Sequence, residues 1–220
     1  MSAYSEYSKL FKDGISTAAK EMGYSQSNIC ILEGTIEELQ SNFPEVYSNL
    51  ISCNYNKDTR TPLEYGRDLV ASWIFEDVLI AKLRDAGLNI SLAGADKKRE
   101  ILRTAKVSAN SDCEIEINGK YRAMEIMCDY KGWWSKKGVC DLRDFKYNKL
   151  VNTKSLFLGI STSDIKCFVM DFSMPQNAEY RSMHLPYGGK PAYSIKVPPM
   201  MKFDIDLICA EIKRLFGIEK

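Results

Sequence analysis

Two short segments of alternating apolar and polar residues lie on either side of Asn118-Gly119. An Asn-Gly pair between such segments is typical of a β-hairpin with a two-residue turn, and that turn fixes the strand register. The residues expected opposite each other are Ile117 with Lys120, Glu116 with Tyr121, Glu114 with Ala123, and Asp112 with Glu125. We therefore predict a hairpin within residues 111–131 that has one apolar face and one face carrying Asp112, Glu125 and Met127.

Helical periodicity is clearest over residues 63–86, and Gly87 is the expected end of this helix. Its apolar stripe consists of Leu69, Trp73, Ile80 and Leu83. Glu76 lies in the middle of the stripe, where its carboxylate would face the interior and an unpaired charge is costly. Two interpretations are open: Glu76 pairs with a buried arginine or lysine, or it points towards a metal ion.

The other patterns predict helices around this hairpin and further strands after it. Residues 1–60 are predicted as helices and loops, with a capping box from Thr35 to Glu38. The later elements are a helix at 139–151, strands at 155–160, 166–172 and 193–197, a polar loop at 173–192 and a helix at 204–216. This order favours a single α/β or α+β domain over residues 1–220, with a mixed central β-sheet flanked by helices.

The composition is that of an ordinary globular protein. The 220 residues, 45% hydrophobic and 27% charged, are enough for one sizeable domain. No apolar run reaches the roughly 18 residues of a membrane span, and the first residues lack the apolar stretch of a signal peptide. We therefore expect a cytoplasmic protein without a membrane partner. Seven scattered cysteines without a C-x-x-C pair argue against a zinc site and a disulfide framework.

The opposed acids of the predicted hairpin carry the candidate chemistry. Like charges directly across a sheet are destabilising, so Asp112 opposite Glu125 is best explained by a cation bound between them. Carboxylate oxygens without cysteine or histidine suit Mg²⁺ better than zinc. His184 is the chain's only histidine, which nearly excludes a histidine-based triad or an imidazole-rich metal site.

The segment SDCEIEINGKYRAMEIM (residues 111–127) resembles the motif of the PD-(D/E)xK nucleases in its length, turn and register. The acidic helix before it, the helix DLRDFKYNKL and the strand SLFLGI after it are also similar to the core of that family, over roughly residues 63–160. The resemblance implies a restriction-endonuclease-like core and a type II restriction endonuclease that cuts double-stranded DNA as a homodimer. It further implies Asp112 and Glu125 as metal ligands, Glu76 as a third, and Mg²⁺ as the ion, with Mn²⁺ as a substitute and Ca²⁺ non-catalytic.

The sequence departs from this motif at Met127, where the family has its lysine. Three explanations are open: family members tolerate other residues here, Lys131 reaches back along the same strand face, or methionine replaces a native lysine. In a rival register, Asp129-Tyr130-Lys131 is the (D/E)-x-K triplet. That register keeps a lysine but loses the cross-strand match with Asp112.

Regional roles follow from the same resemblance. Residues 1–60 are expected to dimerise or clamp DNA, residues 63–172 to form the catalytic core, and residues 173–200 to form a DNA-recognition loop. The expected DNA contacts are Lys97, Lys98, Arg99, Lys136, Lys137, Lys146, Arg181 and His184. Trp133 and Trp134 are either stacking platforms for nucleic acid or buried anchors.

Two other functions remain open at this point. One is a DNA-binding protein built on a catalytically degenerate nuclease core, which Met127 favours. The other is a repair or junction nuclease of the same fold.

Overall fold

A computed structural model describes residues 2–54, 59–103 and 111–218. The chain forms two compact units. The first consists of Met1–Leu79 with Ala95–Ser108, and the second of Ile80–Gly94 with Ala109–Lys220. No helix in the described ranges is long and apolar enough to cross a membrane.

The first unit is helical, as the sequence predicts for its N-terminal part. Its helices are α1 (Ala3–Ser8), α2 (Ile15–Glu21), α3 (Gln26–Glu33), α4 (Ile36–Asn42), α5 (Pro44–Asn54) and most of α6 (Pro62–Asp85). The predicted capping box is confirmed: Thr35 Oγ1 accepts a hydrogen bond from the Glu38 backbone, and Glu38 accepts one from the Thr35 backbone. The long helix is confirmed as α6, and Gly87 follows it with a φ of 88°.

The strands all lie in the second unit, as far as the structure describes the chain. They are β1 (Asn89–Leu92), β2 (Cys113–Ile117), β3 (Lys120–Asp129), β4 (Val139–Arg143), β5 (Leu156–Ser161), β6 (Lys166–Asp171), β7 (Ala178–His184), β8 (Lys190–Lys196) and β9 (Met201–Lys202). The helices after the hairpin are α7 (Trp133–Lys137), α8 (Asp144–Thr153) and α9 (Ile205–Leu215). The predicted terminal helix is confirmed as α9, with Asp204 as its N-cap.

The central sheet has the strand order β1-β2-β3-β5-β6-β9. The β3 and β5 strands are parallel and all other neighbours are antiparallel, so the sheet is mixed, as predicted, and helices flank it. A smaller antiparallel sheet has the order β4-β8-β7. Since β4 and α8 both lie in the connection from β3 to β5, this connection joins the two sheets.

The hairpin has the predicted turn and register. Asn118 and Gly119 have φ values of 53° and 74°, the left-handed conformations that a tight two-residue turn needs. Ile117 pairs with Lys120, Glu116 with Tyr121, and Glu114 with Ala123. The same register, extended by one pair, brings Asp112 opposite Glu125.

Two segments have a different structure from the one predicted for them. Residues 139–143 form β4 instead of the first turns of a helix, which begins only at Asp144. Cys140 and Leu142 alternate with more exposed neighbours, and backbone pairing with β8 decides between two patterns that the sequence leaves equally possible. The region expected to be a recognition loop contains β7, whose residues 179–183 are all exposed. A strand in which no alternate positions are buried lacks the alternation of apolar and polar residues from which strands are predicted.

A hydrophobic cluster fills the space around β5. Its buried members are Trp134, Cys140, Leu142, Leu150, Phe157, Phe168, Met170, Phe172 and Ile195. All six residues of β5 are buried, so both faces of this strand are covered. Gly159 lies opposite Phe168 on β6, and the Phe168 ring occupies the space that a side chain at position 159 would need.

Gly159→Ala is expected to destabilise the protein by about 1–3 kcal/mol, the usual cost of overpacking a dense core. A Cβ atom at this position would overlap Cζ of Phe168, whose ring contacts Trp134 edge-on at 5.4 Å between centroids. Urea unfolding of the wild type and the variant measures the loss. In a Phe168→Leu background the same glycine substitution should cost less, and an equal cost in both backgrounds would contradict the steric explanation.

Candidate active site

Asp112 and Glu125 come together at the end of the hairpin remote from its turn. Asp112 directly precedes β2, and its Oδ2 accepts a hydrogen bond from the Ile126 backbone N–H at 2.7 Å. Glu125 lies in β3 and is only 4% exposed, although the hairpin pattern placed it on the polar face. The two carboxyl groups are close enough to interact by charge and by a hydrogen bond. The structure therefore unites the two acids that the register predicts to be opposed.

Burial and mutual repulsion change the acidity of this pair. Burial, together with the negative charge of Glu125, raises the pKa of Asp112 to about 7. The Ile126 N–H and the Lys146 ammonium group act against this rise but do not cancel it. Two full negative charges are therefore unfavourable here at neutral pH. A bound cation would relieve that cost.

Two lysines of α8 reach Glu125. The Lys146 Nζ lies 2.5 Å from Oε1, and the Lys149 Nζ lies 3.5 Å from Oε2. Residues three apart share one face of a helix, which explains how both side chains meet the same carboxylate. The Lys146 side chain is 29% exposed and that of Glu125 only 6%, so the ammonium group lies between the buried acid and solvent. The site thus combines two carboxylates with a lysine on their solvent side.

Sequence reasoning placed Lys146 among the DNA contacts and missed its position beside Glu125. The signal available was the spacing of Lys146 and Lys149 on a helix that follows the acidic strand. That spacing shows a shared helix face but does not show which strand the face covers. Only the tertiary structure brings this face over β3.

Met127 belongs to the hydrophobic interior. It is partly buried and packs against the cluster around β5, and its strand partner is Gly159. A thioether suits this surrounding, whereas a lysine there would bring an ammonium group against apolar side chains. The apolar residue at this motif position therefore has a packing explanation.

Lys131 does not extend the strand face of Glu125. The β3 strand ends at Asp129, and Lys131 is exposed in the turn that follows, so the straight strand needed for it to reach back is not formed. The Asp129 carboxylate accepts hydrogen bonds from the backbone N–H groups of Lys131 at 3.0 Å and Trp134 at 2.7 Å. Both Asp129 oxygens thus fix the chain at the start of α7. This role gives the rival register at 129–131 no support.

Glu76 pairs with a largely buried arginine, which is the first of the two interpretations of its position on the apolar stripe. In the first unit its Oε2 accepts a hydrogen bond from Arg99 Nη1 at 3.0 Å. Arg99 Nη2 also binds Asp77 Oδ1 at 2.5 Å, and the Tyr24 hydroxyl donates to Asp77 Oδ2. Burial, aided by Asp77, raises the pKa of Tyr24 far above its ordinary value. Glu76 is thus half of an ion pair with a largely buried arginine.

Arg99 and His184, which the sequence analysis expected to contact DNA, have largely buried side chains. Arg99 has a side chain only 11% exposed and is bound by two carboxylates, so it is not an open phosphate-binding group. His184 is 7% exposed, and its Nε2 lies 3.2 Å from Asp141 Oδ2. A side chain enclosed in this way cannot read a base edge without a rearrangement.

Apart from Lys146, the other expected contacts are exposed. Lys97 and Lys98 lie in a short 3₁₀ helix of the first unit, and Arg181 lies on β7 beside Glu179. Lys136 Nζ donates to the Lys131 carbonyl at 3.3 Å. These positions are compatible with contact to a polyanion, although exposure alone does not make them a binding surface.

The two tryptophans differ in burial. Trp134 is buried in the cluster around β5, where it anchors α7. Trp133 is 53% exposed, and Lys137 Nζ lies 5.9 Å from its ring centroid. An exposed indole beside lysines is a suitable platform for a base or a sugar.

The donor set of the site fits a hard divalent cation with a partial protein shell. Asp112 and Glu125 supply carboxylate oxygens, the ligands that Mg²⁺ prefers. In the described ranges, no group of three or more histidine, cysteine, aspartate or glutamate side chains is arranged to hold a metal. Mg²⁺ commonly binds through one or two carboxylates together with water and substrate phosphate oxygens, so two carboxylates are sufficient.

Comparison with known proteins adds no family assignment. No protein-family model matches the sequence, and no curated protein is similar to it. Function is therefore inferred from the geometry of Asp112, Glu125 and Lys146.

Proposed function

We propose that this protein is a divalent-metal-dependent DNA endonuclease, and more specifically a type II restriction endonuclease. The observation that carries the proposal is the close Asp112–Glu125 pair, in which Glu125 is buried and has the Lys146 ammonium group 2.5 Å away. Two acids that can hold a divalent metal, with a lysine beside them, suit metal-dependent phosphodiester hydrolysis. The sequence order that resembles the PD-(D/E)xK nucleases points to the same chemistry.

Each side chain has a task in this proposal. Asp112 and Glu125 would hold Mg²⁺, which when bound polarises the scissile phosphate and lowers the pKa of an attacking water. The Ile126 N–H keeps the Asp112 carboxylate oriented, because it donates to Oδ2 at 2.7 Å. Lys146 would offset negative charge on the phosphate or hold the water in line, the role that the motif gives to its strand lysine. In this chain the lysine would come from α8 instead.

The order of elements supports the proposal. A helix (α6) precedes an antiparallel run of β1, β2 and β3, and β5 pairs parallel to β3 after α8. Apart from α7 and β4, which lie between the hairpin and α8, the elements follow the order helix, hairpin, helix and strand that the nuclease resemblance implies. Asp112 and Glu125 occupy the first strand's start and the return strand, as that motif requires.

Recognition of DNA would involve exposed residues beside the site's own strand. Trp133 and Lys137 follow β3 directly and form a basic, aromatic surface. Stacking on an exposed indole and neutralisation of phosphates by lysines both favour nucleic acid without selecting a sequence.

The test is incubation of the full chain with a long linear DNA and Mg²⁺. We expect discrete fragments with Mg²⁺ or Mn²⁺, and intact DNA with Ca²⁺ or a chelator. The variant Asp112→Asn/Glu125→Gln, purified in the same way, should leave the DNA intact, which distinguishes this activity from a contaminating nuclease. Intact DNA in every metal would refute the endonuclease proposal, and cutting of branched DNA alone would favour a junction nuclease.

A second candidate function has its own structural support. Both oxygens of Glu125 are within 3.5 Å of a lysine ammonium group, so the charge of Glu125 is already offset without a metal. A degenerate nuclease core that binds DNA without cutting it would have such a site. Salt-dependent DNA binding that Mg²⁺ does not change, together with no cleavage, is the result expected of that function.

A further inference from the structure

The β7 strand is an outer strand whose free edge is unusually open. In the described part of the chain it pairs only with β8, and its residues 179–183 are all exposed. An outer strand presents unpaired N–H and C=O groups that can pair with another strand. The sequence of β7, AEYRSMH, contains neither the lysine nor the proline that often protect such edges. Its charges are Glu179 and Arg181, and its register shift lies beyond them, between Arg181 and His184.

A row of aromatic rings leads from the interior to this edge. Tyr147 contacts Phe172 of the buried cluster at 5.8 Å between centroids and stacks on Tyr193 at 4.0 Å. Tyr193 contacts Tyr180 of β7 at 5.1 Å, and Tyr180 is 55% exposed. The row therefore ends in a ring with one side open, and an aromatic ring added beyond the edge would continue it.

The charges of β7 are self-complementary. Glu179 and Arg181 lie on either side of Tyr180 and share the opposite face, since Arg181 Nη2 is 3.6 Å from Glu179 Oε2. If two copies of β7 pair antiparallel about a twofold axis at Tyr180, Glu179 of each copy lies opposite Arg181 of the other. Opposite charges in directly facing positions stabilise a strand pair. The same pairing brings the two Tyr180 side chains next to each other.

We infer that β7 is a dimerisation surface, and that its partner is a second copy of this chain paired antiparallel about Tyr180. The open edge supplies the backbone pairing, Tyr180 supplies the apolar contact, and Glu179 with Arg181 sets the register. Such a contact is isologous, so it closes on itself and gives a dimer and not a filament. The inference does not rest on the nuclease proposal.

The test reverses the charge at position 179 or 181 in separate variants and then mixes the two variant proteins. We expect the wild-type chain to sediment as a dimer, and Glu179→Arg or Arg181→Glu alone to weaken dimerisation by about tenfold or more, because each places like charges opposite each other twice. A mixture of the two variants should form a mixed dimer, since both arginines of one copy then face both glutamates of the other. The double variant should again pair with itself.

The matched control is the exposed Glu211–Arg214 ion pair on α9, 2.7 Å between Nη2 and Oε1. Charge reversal at Glu211 or Arg214 makes the same change in net charge and should leave the dimer intact. A monomeric wild-type chain at all concentrations would overturn the inference. A dimer that both single variants at 179 and 181 leave unchanged would overturn it too, and would favour the N-terminal helices as the interface.

Discussion

Asp112→Asn is expected to abolish metal-dependent DNA cleavage and, at the same time, to stabilise the metal-free protein at alkaline pH. The two effects have one cause. The folded protein holds a buried carboxyl group beside Glu125, and its raised pKa of about 7 measures how unfavourable its ionisation is. Asparagine cannot ionise, but its side-chain oxygen can still accept the hydrogen bond from Ile126. The variant thus loses the proposed metal ligand and a source of instability together.

The free energy of unfolding of the wild type should fall as the pH rises, for the following reason. Below pH 3.8 the Asp112 carboxyl group is protonated in both states, and its contribution to stability is fully present. As the pH rises towards 7, the unfolded chain releases the proton while the folded protein keeps it, so the free energy of unfolding falls. Each pH unit in this window corresponds to about 1.36 kcal/mol, which gives a loss of up to about 4 kcal/mol. Above pH 7 the loss is complete.

Urea unfolding without metal, at pH 5 and pH 8, measures this effect. The stability difference between Asp112→Asn and the wild type should increase by a few kcal/mol from pH 5 to pH 8. Saturating Mg²⁺ should stabilise the wild type and leave the variant unchanged, because only the wild type retains both carboxylates. A variant less stable than the wild type at pH 8 would show that Asp112 is not under electrostatic stress. Undiminished cleavage would show that it is not a metal ligand.

Lys146→Met is expected to lower the rate of DNA cleavage by about a hundredfold or more while leaving DNA binding in Ca²⁺ nearly unchanged. The change keeps most of the length of the side chain and removes the ammonium group that lies 2.5 Å from Glu125. Loss of one positioned group that stabilises charge in a transition state commonly costs about 10²–10³ in rate. Single-turnover cleavage and a filter-binding assay separate the two quantities.

Two other lysines provide matched controls. Lys149 is farther from the carboxylate, 3.5 Å from Oε2, so Lys149→Met should have a smaller effect than Lys146→Met. Lys131 is exposed beyond the end of β3, and Lys131→Met should leave the rate nearly unchanged. A large loss at Lys131 with none at Lys146 would return the motif's lysine role to position 131.

Met127→Lys tests whether a lysine at the strand position of the motif would increase the rate of cleavage. If the strand position lacks a catalytic lysine, this variant should cut faster. Because Met127 packs against the cluster around β5, we expect no gain in rate. An ammonium group at this position would have to leave the apolar surrounding or lower its pKa.

The hairpin and the long helix could be predicted because local rules decide them. Asn118-Gly119 permits one tight turn, and the turn sets every pair up to Asp112 and Glu125. Gly87 ends α6 for an equally local reason. These features need no knowledge of distant residues.

The features that sequence reasoning missed depend on distant partners. Residues 139–143 are a strand because β8 is beside them, although their pattern fits a helix as well. Glu76 on an apolar stripe signals a buried partner but not that the partner is Arg99, 23 positions away. Lys146 is a surface lysine by composition, and only the placement of α8 over β3 gives it Glu125.

The connection between β3 and β5 has a consequence for how the site is assembled. Its strand β4 pairs with β8, which begins nearly fifty residues later in the chain. The hairpin that joins the two acids closes over a few residues, whereas the helix with Lys146 is anchored by a contact of long sequence separation. Contacts of long separation form late because more chain entropy must be lost first. During folding, the two carboxyl groups would therefore come together before Lys146 reaches Glu125.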